Sequence, residues 1–230
     1  MQLVHLPDTV DAVVARSLET PALYRWTRAI IRFLLRLLFH LEITGEEYLH
    51  TTQRPLMVVT NHLHWLDPPI VFAILPHRTT VFAAEKWATR PIIGDLFRII
   101  GNAIFVNRGE VDRRALTRAM AVLKAGGVLG IAPEGTRSKT GGLQPGKEGA
   151  AYLAIRTGAT ILPIGLAGQE KAFRTLFRLR RPVIHIRVGE PFTLDSVSDR
   201  PRGEELAAHT DHIMRRLAEL LPESYRGVYA

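Results

Sequence analysis

Cysteine is absent from the 230 residues. That excludes disulfides, thiolate metal sites and a cysteine nucleophile together, and it is compatible with a reducing compartment. Also missing is any run of about 20 uncharged apolar residues, so no conventional membrane-spanning helix is predicted. The opening stretch MQLVHLPDTVDAVV lacks a basic region followed by an apolar core, so no secretory signal peptide is predicted. No Gly-x-Ser-x-Gly elbow occurs anywhere, which leaves the chain without that kind of serine nucleophile. The sequence holds no repeat, no low-complexity tract and no sign of a further globular domain after residue 45.

What is present is the composition of a folded domain, 47% hydrophobic and 23% charged. Lysine and arginine number 30 against 22 aspartates and glutamates, a formal net charge of +8. Such an excess favours anionic partners: nucleic acid, anionic lipid or a phosphate-bearing substrate. No nucleic-acid-binding motif is visible, so nucleic acid is not an expected partner.

The most apolar stretch is YRWTRAIIRFLLRLLFH, residues 24–40. Wound as a helix, it gathers Arg25, Arg28, Arg32 and Arg36 into an arc of roughly 80°. Ile30, Phe33, Leu34, Leu37 and Leu38 fall on the broad apolar face, with Trp26 towards its edge. Burying four arginines in hydrocarbon is costly, whereas lying in the interface lets them meet lipid phosphates while the leucines enter the acyl region. Packing of the same face on the domain core is the alternative. Residues 1–44 are therefore predicted to be an N-terminal helical membrane-contact segment, with a folded domain over 45–230.

Beyond Gly45 short apolar runs alternate with helix-like segments. Strands are predicted at 56–60, 79–84, 103–106, 128–132, 160–165 and 183–188, and helices at about 68–75, 89–100, 111–125, 147–157 and 203–221. Gly126-Gly127 and Gly158 supply helix stops. The alternation predicts a single α/β domain whose central sheet is largely parallel and flanked by helices. Polar groups cluster where strands end: Asn61-His62, Glu85-Lys86, Asn107-Arg108 and Pro133-Glu134-Gly135-Thr136-Arg137. Ligands of α/β sheets collect outside the carboxyl ends of strands, so these blocks are predicted to share one positively charged site.

Within that site His62 and Asp67 form His-x4-Asp. A histidine can take the proton of an alcohol as it attacks an acyl carbonyl, and a carboxylate on the other ring nitrogen fixes the tautomer. No enzyme nucleophile is needed if the substrate hydroxyl attacks directly. His62, His64 and Asp67 also admit a metal-ligand reading, with His185 or His77 as further ligands. Arg108 and Arg137 offer forks for a phosphate, and Glu134 suits an arginine or a substrate hydroxyl. Gly141–Lys147 fits Gly-x4-Gly-Lys, but Glu148 replaces the Ser/Thr of a P-loop and no strand precedes it. The basic stretch FRTLFRLRR, 173–181, reads equally as a membrane contact, a carrier-protein contact or a solvated edge.

In this order the blocks resemble the phospholipid/glycerol acyltransferase family, especially its 1-acylglycerol-3-phosphate acyltransferases. Asn61-His62…Asp67 is similar to the family's Asn-His-x4-Asp block, Gly101…Phe105…Arg108 to its second, Pro133–Arg137 to its third and Leu162-Pro163-Ile164 to its fourth. The resemblance covers roughly residues 45–190. It implies that His62 is the general base and Asp67 its partner. It also implies that Arg108, Glu134, Gly135, Thr136 and Arg137 bind or position a glycerol-phosphate head, with Lys86 a further basic position. The donor it implies is acyl-CoA or an acyl carrier protein thioester, with no metal or other cofactor. It further implies a lysophospholipid as acceptor and the cytoplasmic face of a membrane as the place. Two positions depart from the pattern: His64 stands where the family usually has serine, and Ala132 where it usually has phenylalanine. His64 could reshape the pocket, alter the acceptor or compete for Asp67, while Ala132 leaves room beside the site.

Overall fold

Helices α1 (Val10–Leu18) and α2 (Ala22–Leu38) lead directly into strand β1 (His40–Thr44). The chain continues through β2 (Leu56–Thr60), α3 (Asp67–Ile74), β3 (Thr79–Ala84), α4 (Ile93–Gly101), β4 (Ile104–Val106), α5 (Arg113–Lys124) and β5 (Val128–Ile131). It ends with α6 (Gly149–Thr157), β6 (Thr160–Ala167), α7 (Ala172–Leu176), β7 (Val183–Val188) and α8 (Glu204–Ala218). This computed structural model describes residues 9–90, 93–107, 112–195 and 202–230.

Among the described residues the strands form one sheet of seven in the order β1-β7-β6-β2-β5-β3-β4. Neighbours are parallel except β6 and β7, which pair antiparallel. The predicted α/β class and largely parallel sheet are what the chain adopts. Leu56–Val59 and Thr160–Ala167 are buried throughout, as expected of strands covered on both faces. One face carries a core built with α1, α5, α6 and α8, the other a core built with α2, α3 and α7. Local signals agree with the element ends: the Asp112 carboxylate accepts the Ala115 N–H at 3.0 Å, and Gly158 closes α6 at φ 62°.

Strand β1 is the main departure from the sequence reading, which has no strand before residue 56. His40, Glu42 and Thr44 are exposed and Leu41 and Ile43 half-buried, so five alternating residues are hidden behind a longer helical pattern. Their partner β7 lies far along the chain, with His40 opposite Val183, and no local signal announces it. Helix α1 falls within the predicted N-terminal helical segment, whereas α7, at five residues, is too short to stand out by periodicity.

Helix α2 does not pack through its apolar face. It is docked by a narrow seam in which Tyr24 and Leu35 are buried and Ile31 half-buried, with Arg28 beside them donating to the Pro76 carbonyl at 3.0 Å. The Tyr24 hydroxyl donates to the His77 carbonyl at 3.0 Å, and its ring meets Phe72 edge-on at 5.0 Å. The predicted apolar face, Ile30, Phe33, Leu34, Leu37 and Leu38, stays exposed; Trp26 is 70% and Phe33 65% accessible. Among the described residues no helix is long and apolar enough to cross a membrane.

Candidate active site

His62 sits just beyond the carboxyl end of β2, and Asp67 is the first residue of α3. Pro68 and Pro69 follow it, and proline suits a first turn whose N–H groups lack intrahelical partners. The Asp67 side chain turns back over the loop. Its Oδ2 meets His62 Nδ1 at 2.8 Å and accepts the backbone N–H groups of Leu63 at 2.7 Å and His64 at 2.8 Å. Its Oδ1 accepts the Gln169 side-chain amide at 3.0 Å. Four donors thus converge on a carboxylate that is almost wholly buried. A carboxylate only accepts, so the His62 ring proton lies on Nδ1 and Nε2 is left as the basic nitrogen.

The His62 backbone is gripped as well. Glu134 Oε1 accepts its N–H at 2.9 Å, and its carbonyl accepts the Ser138 N–H at 2.8 Å. The second Glu134 oxygen accepts the Gln144 N–H at 3.0 Å. Burial pushes the Glu134 carboxyl above its ordinary value, and the Gln144 and His62 amides oppose that rise. The resemblance assigns Glu134 to substrate; in the structure both its oxygens join loops. Two amides inside a buried turn need acceptors, and this side chain supplies both.

His62, Asp67 and Gly135 open on a cavity of about 450 Å³. Lys147 is at the same mouth, so close to Gly135 that a Cβ there would stand 3.1 Å from the Lys147 amine. The rest of the cavity wall is largely apolar and includes Ala132, Gly130, Val81, Ile100 and Ile31 of α2. A basic histidine on the wall of a largely apolar cavity can work on one end of an alkyl chain held there.

Comparison with known proteins is decisive on ancestry: a sequence profile of the Acyltransferase family matches residues 40–167, more than half of the chain. The chain belongs to that family. Among its relatives, a 1-acyl-sn-glycerol-3-phosphate acyltransferase of Cocos nucifera is 28% identical over 80% of this chain and 58% of its own. A Bacillus subtilis protein of the same name is 25% identical over 86% of this chain and 96% of its own. The matches to the Cocos nucifera and Borreliella burgdorferi proteins span about half of those relatives, 58% and 52%. The crystal structure of the 1-acyl-sn-glycerophosphate acyltransferase PlsC from Thermotoga maritima shares the fold. It has a TM-score of 0.63 at 24% identity, over 90% of this chain and 86% of that one.

The other expected site residues are less gathered than the acyltransferase pattern suggests. Thr136 and Arg137 are exposed at the tip of the loop that Glu134 anchors. Lys86 is exposed with its amine 5.2 Å from the Trp87 ring centre, and it does not line the cavity. Arg108 lies outside the described residues. Two residues at the site escape sequence reasoning. Gln169, fully buried after β6, lies 102 positions from Asp67 and carries no local motif. Lys147 is the lysine of the P-loop-like stretch, discounted with it. The metal reading finds no ligand set, since no group of three His, Asp or Glu side chains converges among the described residues.

His64 does not compete for Asp67 through its ring, which lies 5.4 Å from Trp65 and 5.8 Å from Phe173; only its backbone N–H reaches the carboxylate. Burial pushes this imidazole below its ordinary value; Asp67 and Glu170 resist, while Arg137 reinforces the fall. A folded value below the unfolded one means stability that is full above about pH 6.5 and lost as pH falls towards the folded value. His64→Ser, tracked by melting temperature, is therefore expected to gain on the parent protein as pH drops from about 7 to 5. A constant gap across that range would show that His64 contributes nothing to acid sensitivity.

Proposed function

We propose that this protein transfers a fatty acyl group from a thioester to the free hydroxyl of a lysophospholipid. 1-Acylglycerol-3-phosphate is the leading acceptor and phosphatidic acid the product. The observation that carries this reading is the His62–Asp67 pair at the mouth of an apolar cavity of about 450 Å³. His62 Nε2 removes the acceptor's hydroxyl proton as that oxygen attacks the thioester carbonyl. The tetrahedral intermediate then collapses, the C–S bond breaks, and the thiolate takes the proton back from His62 as the thiol leaves. Asp67 holds the ring and balances the transient imidazolium. The step needs no metal or other cofactor; acyl-CoA and an acyl carrier protein thioester both meet its chemistry.

Lys147, Arg137 and Arg108 are the cations assigned to the acceptor phosphate. Fixing that phosphate turns a chance encounter into a defined geometry. The exposed apolar face of α2 supports residence on a membrane surface, where the lysophospholipid is found, and the cytoplasmic side is where acyl-CoA and acyl carrier protein occur. The reading is tested by incubating purified protein with palmitoyl-CoA or palmitoyl carrier protein and a panel of lysophospholipids, followed by lipid chromatography. Phosphatidic acid is the expected product from 1-acylglycerol-3-phosphate. Release of free fatty acid with no diacyl product from any acceptor would make the protein a hydrolase and overturn the proposal.

A further inference from the structure

The turn after α7 holds the most exposed large apolar side chains of the described residues. Phe177 is 87% accessible and Leu179 98%. The turn is well tied: the Phe177 N–H donates to the Phe173 carbonyl at 2.9 Å, Leu179 to Leu176 at 2.8 Å, and Arg180 to Thr175 at 3.2 Å. Leu179 has φ 54°, in the left-handed region that suits glycine or asparagine and disfavours leucine. Folding alone therefore gives no reason for leucine there, because it strains the backbone and buries nothing.

Its surroundings indicate what it meets. The Arg181 guanidinium donates to the Arg36 carbonyl and, at 2.9 Å, to the Phe39 carbonyl. The turn is thereby fixed to the end of α2, where Leu37 and Leu38 are also exposed. No acidic residue lies on α2 or between Lys171 and Pro182, whereas Arg174, Arg178 and Arg180 flank the two apolar side chains. Trp65, half-exposed, stacks on Phe173 at 5.1 Å and joins the turn to the loop that carries His62.

We infer that the 177–179 turn is a second apolar anchor that enters an anionic bilayer beside α2, with its arginines on lipid phosphates. The inference rests on the interfacial reading of α2 given above. Apolar tips supply burial in the acyl region while neighbouring arginines gain from anionic headgroups. A helix alone can roll about its axis in the interface. A second contact fixed to its end removes that freedom and sets the His62 loop against the membrane, from which the lysophospholipid arrives.

The experiment is co-sedimentation with vesicles of equal phosphatidylglycerol and phosphatidylcholine. Leu179→Asn and the double variant Phe177→Ser/Leu179→Asn are compared with Phe33→Ser on α2. The double variant is expected to partition at least about tenfold more weakly. Leu179→Asn should melt no lower than the parent, because asparagine tolerates the left-handed backbone, and acylation of a dispersed short-chain acceptor should be unchanged. Undiminished partition of the double variant overturns the inference, and so does a Leu179→Asn protein that melts lower. Intact vesicle binding with lost affinity for an acyl carrier protein would also overturn it, assigning the turn to a protein partner. If Phe33→Ser has no effect while the turn variants do, the reading of α2 fails and the inference falls with it, leaving the turn as the sole anchor. Loss with Phe33→Ser alone has the opposite meaning.

Discussion

His62→Ala is expected to lower turnover by about 10²–10⁴-fold at neutral pH, the usual contribution of a positioned general base. The acceptor KM should change little, since the cations assigned to the phosphate are untouched. Asp67→Asn should fall in the same range for a different reason. The amide oxygen can still accept from His62, Leu63 and His64, but its NH2 then faces the Gln169 NH2. Gln169 can answer by rotating its amide, because its own oxygen is buried without a partner among the described residues. The loop therefore survives while the charge that balances the imidazolium is lost. Gln169→Leu leaves that charge but strips Asp67 Oδ1 of its donor, a buried loss costing about 1–3 kcal/mol of stability. Its turnover should fall less than that of either other variant, and the decline should follow the pH profile rather than KM. Steady-state assays across pH with thermal melts distinguish the three. Residual turnover of His62→Ala within a few-fold of the parent would remove His62 from the chemistry.

The second large effect concerns chain length. Gly130 lies in mid-strand on the cavity wall, where an added Cβ would stand 3.1 Å from Thr79 Cγ2 and 3.3 Å from Val81 Cγ1. Gly130→Val suits a β-strand and projects its methyl groups towards those neighbours in the slot. If the slot holds the acyl chain, long-chain donors should lose against short ones. A single methylene in such a pocket is worth about 1–3 kcal/mol, so the ratio of kcat/KM should move by about 10–200-fold. Competing acyl thioesters of graded length in one reaction gives the ratio directly. An equal fall for every length would mean that the side chain disturbs His62 instead. No change would place the chain elsewhere.

The sheet and its reactive edge are legible in the sequence because β2, β3, β4 and β5 are short apolar runs that end in polar blocks. His62 and Asp67 are legible for the same reason, five residues apart within one loop. Gln169 is not, since its link to Asp67 depends on β2 and β6 lying side by side, which local pattern does not encode. Glu134 stands out in the sequence as a carboxylate beside an active loop, and only its burial reveals that its oxygens serve two amides. The exposed face of α2 shows the same limit. Periodicity identifies that face, but only the packing of Tyr24, Ile31 and Leu35 decides that it points away from the core.

The pairing of β1 with β7 has a consequence for how the protein is made. Strand β1 follows α2 after a single residue, Phe39, yet its partner emerges from the ribosome about 140 residues later, on the order of 7–30 s at ordinary elongation rates. For that interval α2 lacks the mooring that Arg181 gives its end, while the leucines and phenylalanine that stay exposed in the finished fold already face solvent and neighbouring nascent chains. A nearby bilayer gives that helix somewhere to rest while the C-terminal half is still being translated. On the interfacial reading proposed for α2, the order of synthesis lets the helix reach the membrane first and the sheet close second.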